Sequence, residues 1–81
     1  MPTVFIEGSY RFYFFSREES RKHIHVSCPD GEVKFWIEPK IEVAKIINLS
    51  DSEVVRIQKT IESRLEEINE SWNKHFAHQV R

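Results

Sequence analysis

The spacing of apolar residues changes once along this chain. From Thr3 to about Ala44 apolar and polar residues tend to alternate, as in a strand with one buried face, and from Ser50 onward apolar residues recur at helical spacing. This pattern predicts an α+β fold in which a small antiparallel sheet of four to five strands, residues 1–49, is followed by one long C-terminal helix, residues 50–77, packed on the sheet. Residues 78–81 are predicted to be a frayed tail.

The first hairpin is predicted from the stretch IEGSYRF. Gly8–Ser9 can form a two-residue turn with glycine at the first central position. The register that this turn sets pairs Phe5 with Phe12 and Thr3 with Phe14. Because the strand RFYFF carries large rings on both faces, we expect it to be a central strand of the sheet.

The second hairpin is predicted around Asp30–Gly31, a strong turn pair because glycine accepts a positive φ without strain. Two registers compete. A three-residue loop would set Val26 opposite Lys34 and mix apolar with charged residues on each face. A two-residue loop gives one wholly apolar face, which pairs Cys28 with Val33, Val26 with Phe35, and Ile24 with Ile37. Since burial favours a register that turns every apolar residue inward, we predict the second one.

The opposite face of this hairpin collects the residues that could carry chemistry. In the predicted register it pairs Ser27 with Lys34, His25 with Trp36, and His23 with Glu38. Directly paired side chains have Cβ atoms about 4.5–5.5 Å apart, so these groups can touch. All of them are therefore predicted to share one surface.

The helix is predicted to begin at Ser50, which can form a capping box with Glu53. The preceding stretch KIEVAKIINLS is ambiguous, since Ile41 and Val43 suit a strand while Ile46, Ile47 and Leu49 suit a packed connection. We interpret it as a short strand followed by a turn. One apolar stripe then runs down the helix: Val54, Ile57, Ile61, Leu65, Ile68, Trp72 and Phe76. A helix of about 26 residues is about 39 Å long, more than strands of five or six residues can cover. Two alternatives stay open for Trp72 and Phe76: they cap the core, or they form a surface for a partner or for self-association.

Composition limits the function classes. The 81 residues fit a single domain, residues 1–81, and the net charge of −1 leaves no basic block for general nucleic-acid binding. Cys28 is the one cysteine of the chain, so no intrachain disulfide can form. With no leader pattern and no long apolar run, we expect a cytoplasmic protein without a membrane segment.

The candidate catalytic residues are His23, His25, Lys34, Arg11 and Glu38. Histidine titrates near neutrality and an adjacent carboxylate can orient it, which is the requirement for general acid–base catalysis. The sequence carries no phosphate-binding glycine loop, nucleophile motif or paired-carboxylate spacing, so whether the protein is an enzyme stays open.

A metal site is also conceivable on this face, because a His-x-His pair on a strand projects both rings to one side. His23 and His25 would be the ligands, with Glu38, or His75 and His78, as further donors. A zinc site needs three or four ligands, and we expect neither a bound metal nor a cofactor.

The candidate binding residues are Tyr13, Arg21, Trp36, Trp72 and Phe76. Tyr13 and Trp36, together with the cations and histidines of the same face, resemble the mixture of rings and cations that contacts RNA. The alternative is a half-solvated sheet face on which Trp36 lies across His25. Nucleic-acid binding is not favoured, because the chain lacks a net positive charge.

Nearly the whole chain resembles a family of small prokaryotic proteins, the domain of unknown function DUF4160. The likeness is carried by the RFYFFS strand, the block His23-x-His25-Val26, the block Gly31-x-x-Lys34-Phe35-Trp36-Ile37-x-Pro39, and Trp72 and Phe76 on the helix. The chain departs from the family at Asn48, where members often have glycine before the capped helix.

The resemblance implies a partner more than a reaction. Members are often encoded beside another small protein, in the manner of a toxin–antitoxin pair. We therefore expect a protein-interaction or regulatory module of a two-gene pair, with a protein partner encoded nearby or self-association. The alternative is an RNA-binding or RNA-cleaving toxin-like protein that uses the face bearing His23, His25 and Lys34.

Overall fold

The computed structural model of the chain describes residues 3–15 and 21–76. In this part the elements follow in the order β1 (Thr3–Glu7), β2 (Tyr10–Tyr13), β3 (His23–Ser27), β4 (Glu32–Trp36), β5 (Glu42–Ile47), α1 (Asp51–Ser63) and α2 (Leu65–Phe76). The strands form one antiparallel sheet in the order β1-β2-β3-β4-β5, which confirms the predicted α+β class. The predicted frayed tail, His78 and residues 16–20 lie outside the described residues. No helix in the described ranges is long and apolar enough to cross a membrane.

The core lies between one face of the sheet and the apolar stripe of the helices. The sheet contributes Phe5, Phe12, Phe14, Ile24, Val26, Val33, Phe35 and Ile37, and the helices contribute Val54, Ile57, Ile61, Ile68, Trp72 and Phe76. Full burial of one such side chain stabilises the fold by about 1.5–3 kcal/mol relative to exposure. The alternating and helical patterns therefore identified most of the inward-facing residues, whereas Cys28 and Leu65, which were predicted on the apolar face and stripe, are only partly buried.

The first hairpin turns at Gly8, whose φ of +62° is readily adopted by glycine. Phe5 pairs with Phe12 as predicted, and β2 lies between β1 and β3, which confirms it as a central strand. The predicted pairing of Thr3 with Phe14 is wrong, since a register shift between Thr3 and Phe5 sets Thr3 opposite Tyr13. The shift adds one residue to β1 and moves the pairing by one position.

The second hairpin adopts neither of the registers that the sequence left in competition. Its loop is four residues long, Cys28–Gly31, and the Cys28 amide donates to the Gly31 carbonyl at 3.0 Å. His25 consequently pairs with Lys34 rather than Trp36, and His23 pairs with Trp36. The register differs from the predicted one by two residues, so every side chain keeps its predicted face while its cross-strand neighbour changes.

The predicted single helix is two helices. The capping box of Ser50 and Glu53 starts α1 as predicted, but α1 ends at Ser63 and α2 begins at Leu65. Arg64 between them has φ −119° and ψ 26°, and its amide is shared between two carbonyls of the preceding turn. Ile68, Trp72 and Phe76 of α2 are nevertheless buried in the core, so α2 continues the apolar stripe of α1.

Arg64 also ties this junction to the first strand. Its guanidinium lies 3.5 Å from the centre of the Phe5 ring and forms ion pairs with Glu7 at 3.2 Å and Glu67 at 2.9 Å. The hydrogen bond to Glu67 raises the pKa of the Arg64 guanidinium above its ordinary value. Neither proline nor glycine marks this break in the sequence. The Ser63 hydroxyl donates to the Thr60 carbonyl at 2.9 Å, and this local bond lies at the interruption together with the contacts of Arg64 to β1.

Candidate functional site

The outer face of the sheet, which points away from the core, carries a row of four side chains across four neighbouring strands. Tyr13 on β2 pairs with His25 on β3, His25 pairs with Lys34 on β4, and Lys34 pairs with Lys45 on β5. We call Tyr13, His25, Lys34 and Lys45 the central row. It brings together three of the residues that the sequence predicted for a site and adds one, Lys45.

The β2 end of the central row is an aromatic cluster. The rings of Tyr13 and His25 stack at 5.5 Å and 23°, and Phe15 meets His25 edge-on at 4.4 Å. The Arg11 guanidinium lies 4.6 Å from the centre of the Tyr13 ring and donates to the Thr3 hydroxyl at 2.9 Å. Only 5% of Tyr13 is exposed, so its ring contributes to packing rather than to an open surface.

His23 is fully buried at the end of β3. Its ring meets those of Trp36, Trp72 and His25 at 5.1–5.6 Å, each in an edge-on arrangement. Its Nδ1 lies 2.6 Å from the carbonyl oxygen of Arg21. Because a carbonyl oxygen only accepts hydrogen bonds, Nδ1 carries a proton and donates it. A general acid or base must reach its substrate, and an imidazole with no exposed surface is placed to support the fold instead.

Trp36 lies on the outer face, outside the aliphatic core, as the alternation predicts. Its ring has the Arg21 guanidinium at 4.1 Å and the Lys34 ammonium at 4.4 Å from the centre. Arg21 is fixed in turn by a hydrogen bond to the Glu38 carbonyl at 2.9 Å and an ion pair with Glu42 at 3.2 Å. Two cations therefore contact the ring of the one tryptophan on this face.

The predicted contact between His23 and Glu38 is wrong. The register shift places Trp36 opposite His23, and Glu38 lies beyond the end of β4. Its carboxylate accepts a hydrogen bond from the Lys22 amide at 3.3 Å instead. Within residues 3–15 and 21–76, no three His, Cys, Asp or Glu side chains are grouped so that they could hold a metal ion.

Trp72 and Phe76 lie in the core. Each is 9% exposed, and their rings meet that of Phe14 at 5.2 and 6.1 Å. His75 continues this cluster, since its ring stacks on Phe14 at 6.2 Å and 24°. The position of these rings corresponds to the core-capping alternative, and a contact with a partner stays a prediction.

The strand β5 exposes apolar side chains, and this exposed surface was not predicted from the sequence. The short strand predicted here is confirmed, and it extends through both isoleucines. Val43 is 38% exposed and Ile46 and Ile47 are 43% exposed, so these isoleucines do not form a packed connection. β5 is the last strand of the sheet, and in the described part of the chain no strand pairs with its outer edge. The available signal was the presence of apolar residues on both sides of a short segment, which is also typical of a buried strand.

Neither a curated protein nor a solved structure matches the chain significantly. A family model does match, over residues 9–73, a range that includes β2 to β5, all of α1 and most of α2. The family is described as a domain of unknown function, and the match covers more than half of the chain. The chain therefore belongs to the family DUF4160.

Proposed function

We propose that this protein is a protein-interaction module, the regulatory member of a two-gene pair, and that it binds its partner at the β5 end of the sheet. The observation that carries the proposal is the exposed apolar group on β5, in which Val43, Ile46 and Ile47 are each 38–43% exposed. Val43 and Ile46 lie on the core side of β5 and Ile47 lies on its outer side, so exposed apolar groups are present on both sides of this edge. Exposed apolar surface on a small domain marks contact sites. The membership in DUF4160 supports a partner, because the resemblance implies that members occur in two-gene pairs.

The charges around this group fit a protein partner with acidic residues. Lys34 and Lys45 are directly opposite one another on the outer face, beside Ile47. Exposed branched aliphatic residues next to cations favour a protein contact over a nucleic acid, since phosphates contribute nothing to the burial of isoleucine. The aromatic rings of the outer face also favour a protein over a nucleic acid. Tyr13 is buried and the Trp36 ring is flanked by two cations, so neither ring is open for stacking on a base.

Affinity capture of the full chain from its own cells tests the proposal. We expect one stoichiometric partner, and we expect Ile47→Thr to reduce its recovery several-fold. The matched control is Ile6→Thr, which changes an isoleucine that is 65% exposed on the opposite edge strand, β1, and should leave recovery unchanged. A strictly monomeric protein that captures no stoichiometric partner would contradict the proposal.

A second candidate function is that of an RNA-binding or RNA-cleaving toxin. It is favoured by the central row, which aligns His25 with two lysines on one face. His25 is the half-buried histidine of the pair and so the one that a ligand can reach. Growth arrest on expression that disappears with His25→Ala would support this function, whereas harmless expression together with no retention of RNA on the purified protein would exclude it.

A further inference from the structure

The edge strands of the sheet are β1 and β5, and they differ in the contacts that their side chains make. On β1 the Thr3 hydroxyl accepts a hydrogen bond from Arg11, and the Glu7 carboxylate accepts from Arg64 and Thr60 at 3.2 Å. These contacts tie β1 to β2 and to the helices. On β5 the side chains of Val43, Lys45, Ile46 and Ile47 are all exposed, and no ion pair within the described ranges includes Lys45.

The outer side of β5 presents the ammonium of Lys45, which is exposed and directly opposite Lys34. Like charges in this position disfavour one another. Within the described ranges Lys45 forms no ion pair, either with Glu42, which is paired with Arg21 at 3.2 Å, or with Glu32, which lies opposite Ile47 on the same face. An acidic group brought to the outer side of β5 would supply an ion-pair partner for Lys45.

The other face of β5 is apolar. Val43 lies opposite the buried Phe35 and Ile46 lies opposite the buried Val33, so both extend the core side of the sheet to an edge that the helices leave exposed. An incoming strand with apolar residues on this side would continue the core by one more row. Its backbone would also satisfy the amide and carbonyl groups that an edge strand presents outward.

We propose that an extended, amphipathic acidic segment of the partner protein adds to β5 as a further strand of the sheet. Its acidic side chain faces Lys45 on the outer side, and its apolar side chains pack beside Val43 and Ile46 on the core side. This inference rests on the proposed function and specifies where the partner binds and by which mode. The main chain supplies the pairing, and the alternation of acidic and apolar residues supplies the specificity.

The occupant is a different chain rather than a second copy of this one. The pairing of β5 with β4 shifts at Ala44, because Lys45 pairs with Lys34 while Val43 pairs with Phe35. Edge lysines and bulges are features that natural sheets use against unspecific pairing of an edge with another chain, so an occupant of this edge must match the exposed ammonium of Lys45. A second copy would bring its own Lys45 to this edge, whereas an acidic segment is attracted to it.

A synthetic probe peptide tests this mode directly. The probe alternates glutamate with valine, is blocked at both ends, and has a matched peptide with lysine in place of glutamate. We expect the acidic probe to slow amide hydrogen exchange in β5 of the full chain and to leave exchange in β1 unchanged. We expect Lys45→Glu to lower the affinity for the acidic probe by about threefold to tenfold and to raise the affinity for the lysine probe, as for reversal of an exposed ion pair.

The control variant is Lys59→Glu, which makes the same charge change at an exposed position on α1 and should not alter either affinity. Protection of β1 instead of β5, equal binding of both probes, absence of binding, or dimerisation of the chain through β5 would each overturn the inference. The natural partner gives a separate outcome. If wild type and Lys45→Glu capture it equally, and its binding does not slow amide hydrogen exchange in β5, strand addition is refuted while the proposed function stands. If no partner is captured at all, the proposed function fails.

Discussion

The backbone of the chain end after β5 packs closely against Gly31, and this close approach predicts a large effect for a single methyl group. A Cβ at this position would overlap the carbonyl oxygen of Ile47 and would lie 2.7 Å from that of Asn48, whereas ordinary contact begins near 3.4 Å. The obstructing atoms belong to the backbone and cannot rotate away. Gly31→Ala therefore forces the loop between β3 and β4 away from the end of β5.

Two contributions set the expected loss in the free energy of unfolding of Gly31→Ala. Overpacking of a tightly filled site costs about 1–3 kcal/mol. The displacement also strains the hydrogen bond from the Asn48 amide group to the Asp30 carbonyl, 2.6 Å long, and loss of one such bond costs about 0.5–1.5 kcal/mol. We expect Gly31→Ala to lower the free energy of unfolding by about 2–4 kcal/mol. For a domain of this size that corresponds to a fall in Tm of roughly 10–25 °C.

Urea denaturation followed by tryptophan fluorescence measures the loss, and Gly8→Ala provides the control. Gly8 has a φ of +62° and no atom within 4 Å of the place that an added methyl group would occupy, so its substitution costs only backbone strain, about 1–2 kcal/mol. Gly31 has the opposite combination, a crowded site without a positive φ. Equal losses for the two variants, or a Gly31→Ala protein as stable as wild type, would refute the reasoning from close approach.

Three further variants test other contacts. Ser50→Ala removes the hydroxyl that caps α1, so the free energy of unfolding should fall by about 1 kcal/mol, and an unchanged urea midpoint would contradict this. His23→Ala opens a cavity in a fully buried site and should cost about 2–4 kcal/mol, against under about 1 kcal/mol for the half-buried His25→Ala, and equal urea midpoints would exclude this difference. Arg21→Ala uncovers one side of the Trp36 ring, so acrylamide should quench that tryptophan more strongly, and an unaltered quenching constant would argue against the cation–ring contact.

The hairpin of β3 and β4 separates what alternation can predict from what it cannot. Every second residue of a strand lies on the same face, so the faces of Ile24, Val26, Lys34 and Trp36 follow from parity. A register change of two residues preserves parity, and burial cannot distinguish the two arrangements. The sequence therefore assigned His25 and Lys34 to one surface correctly but paired His25 with the wrong residue.

In the helical region the sequence predicts the apolar stripe but not the break at Arg64. The apolar stripe continues at spacings of three and four residues through Leu65 and does not mark the interruption at Arg64. The contacts of Arg64 with Phe5 and Glu7 join residues that are distant in sequence and close only in the fold. The full burial of His23 under the Trp72 ring has the same origin, because it depends on where α2 passes over the end of β3.

The ambiguity of β5 in the sequence and its exposure in the structure have one physical cause. A segment with apolar residues on both sides is usually a strand buried on both faces, and Ile46 and Ile47 also suit a packed connection, so the sequence left this stretch ambiguous. Here the sheet ends before a further strand can cover them, so the same residues remain 43% exposed. An acidic strand at this edge would give β5 the two-sided contact that its composition favours. The mismatch between pattern and burial is thus itself an argument that β5 is completed by another chain.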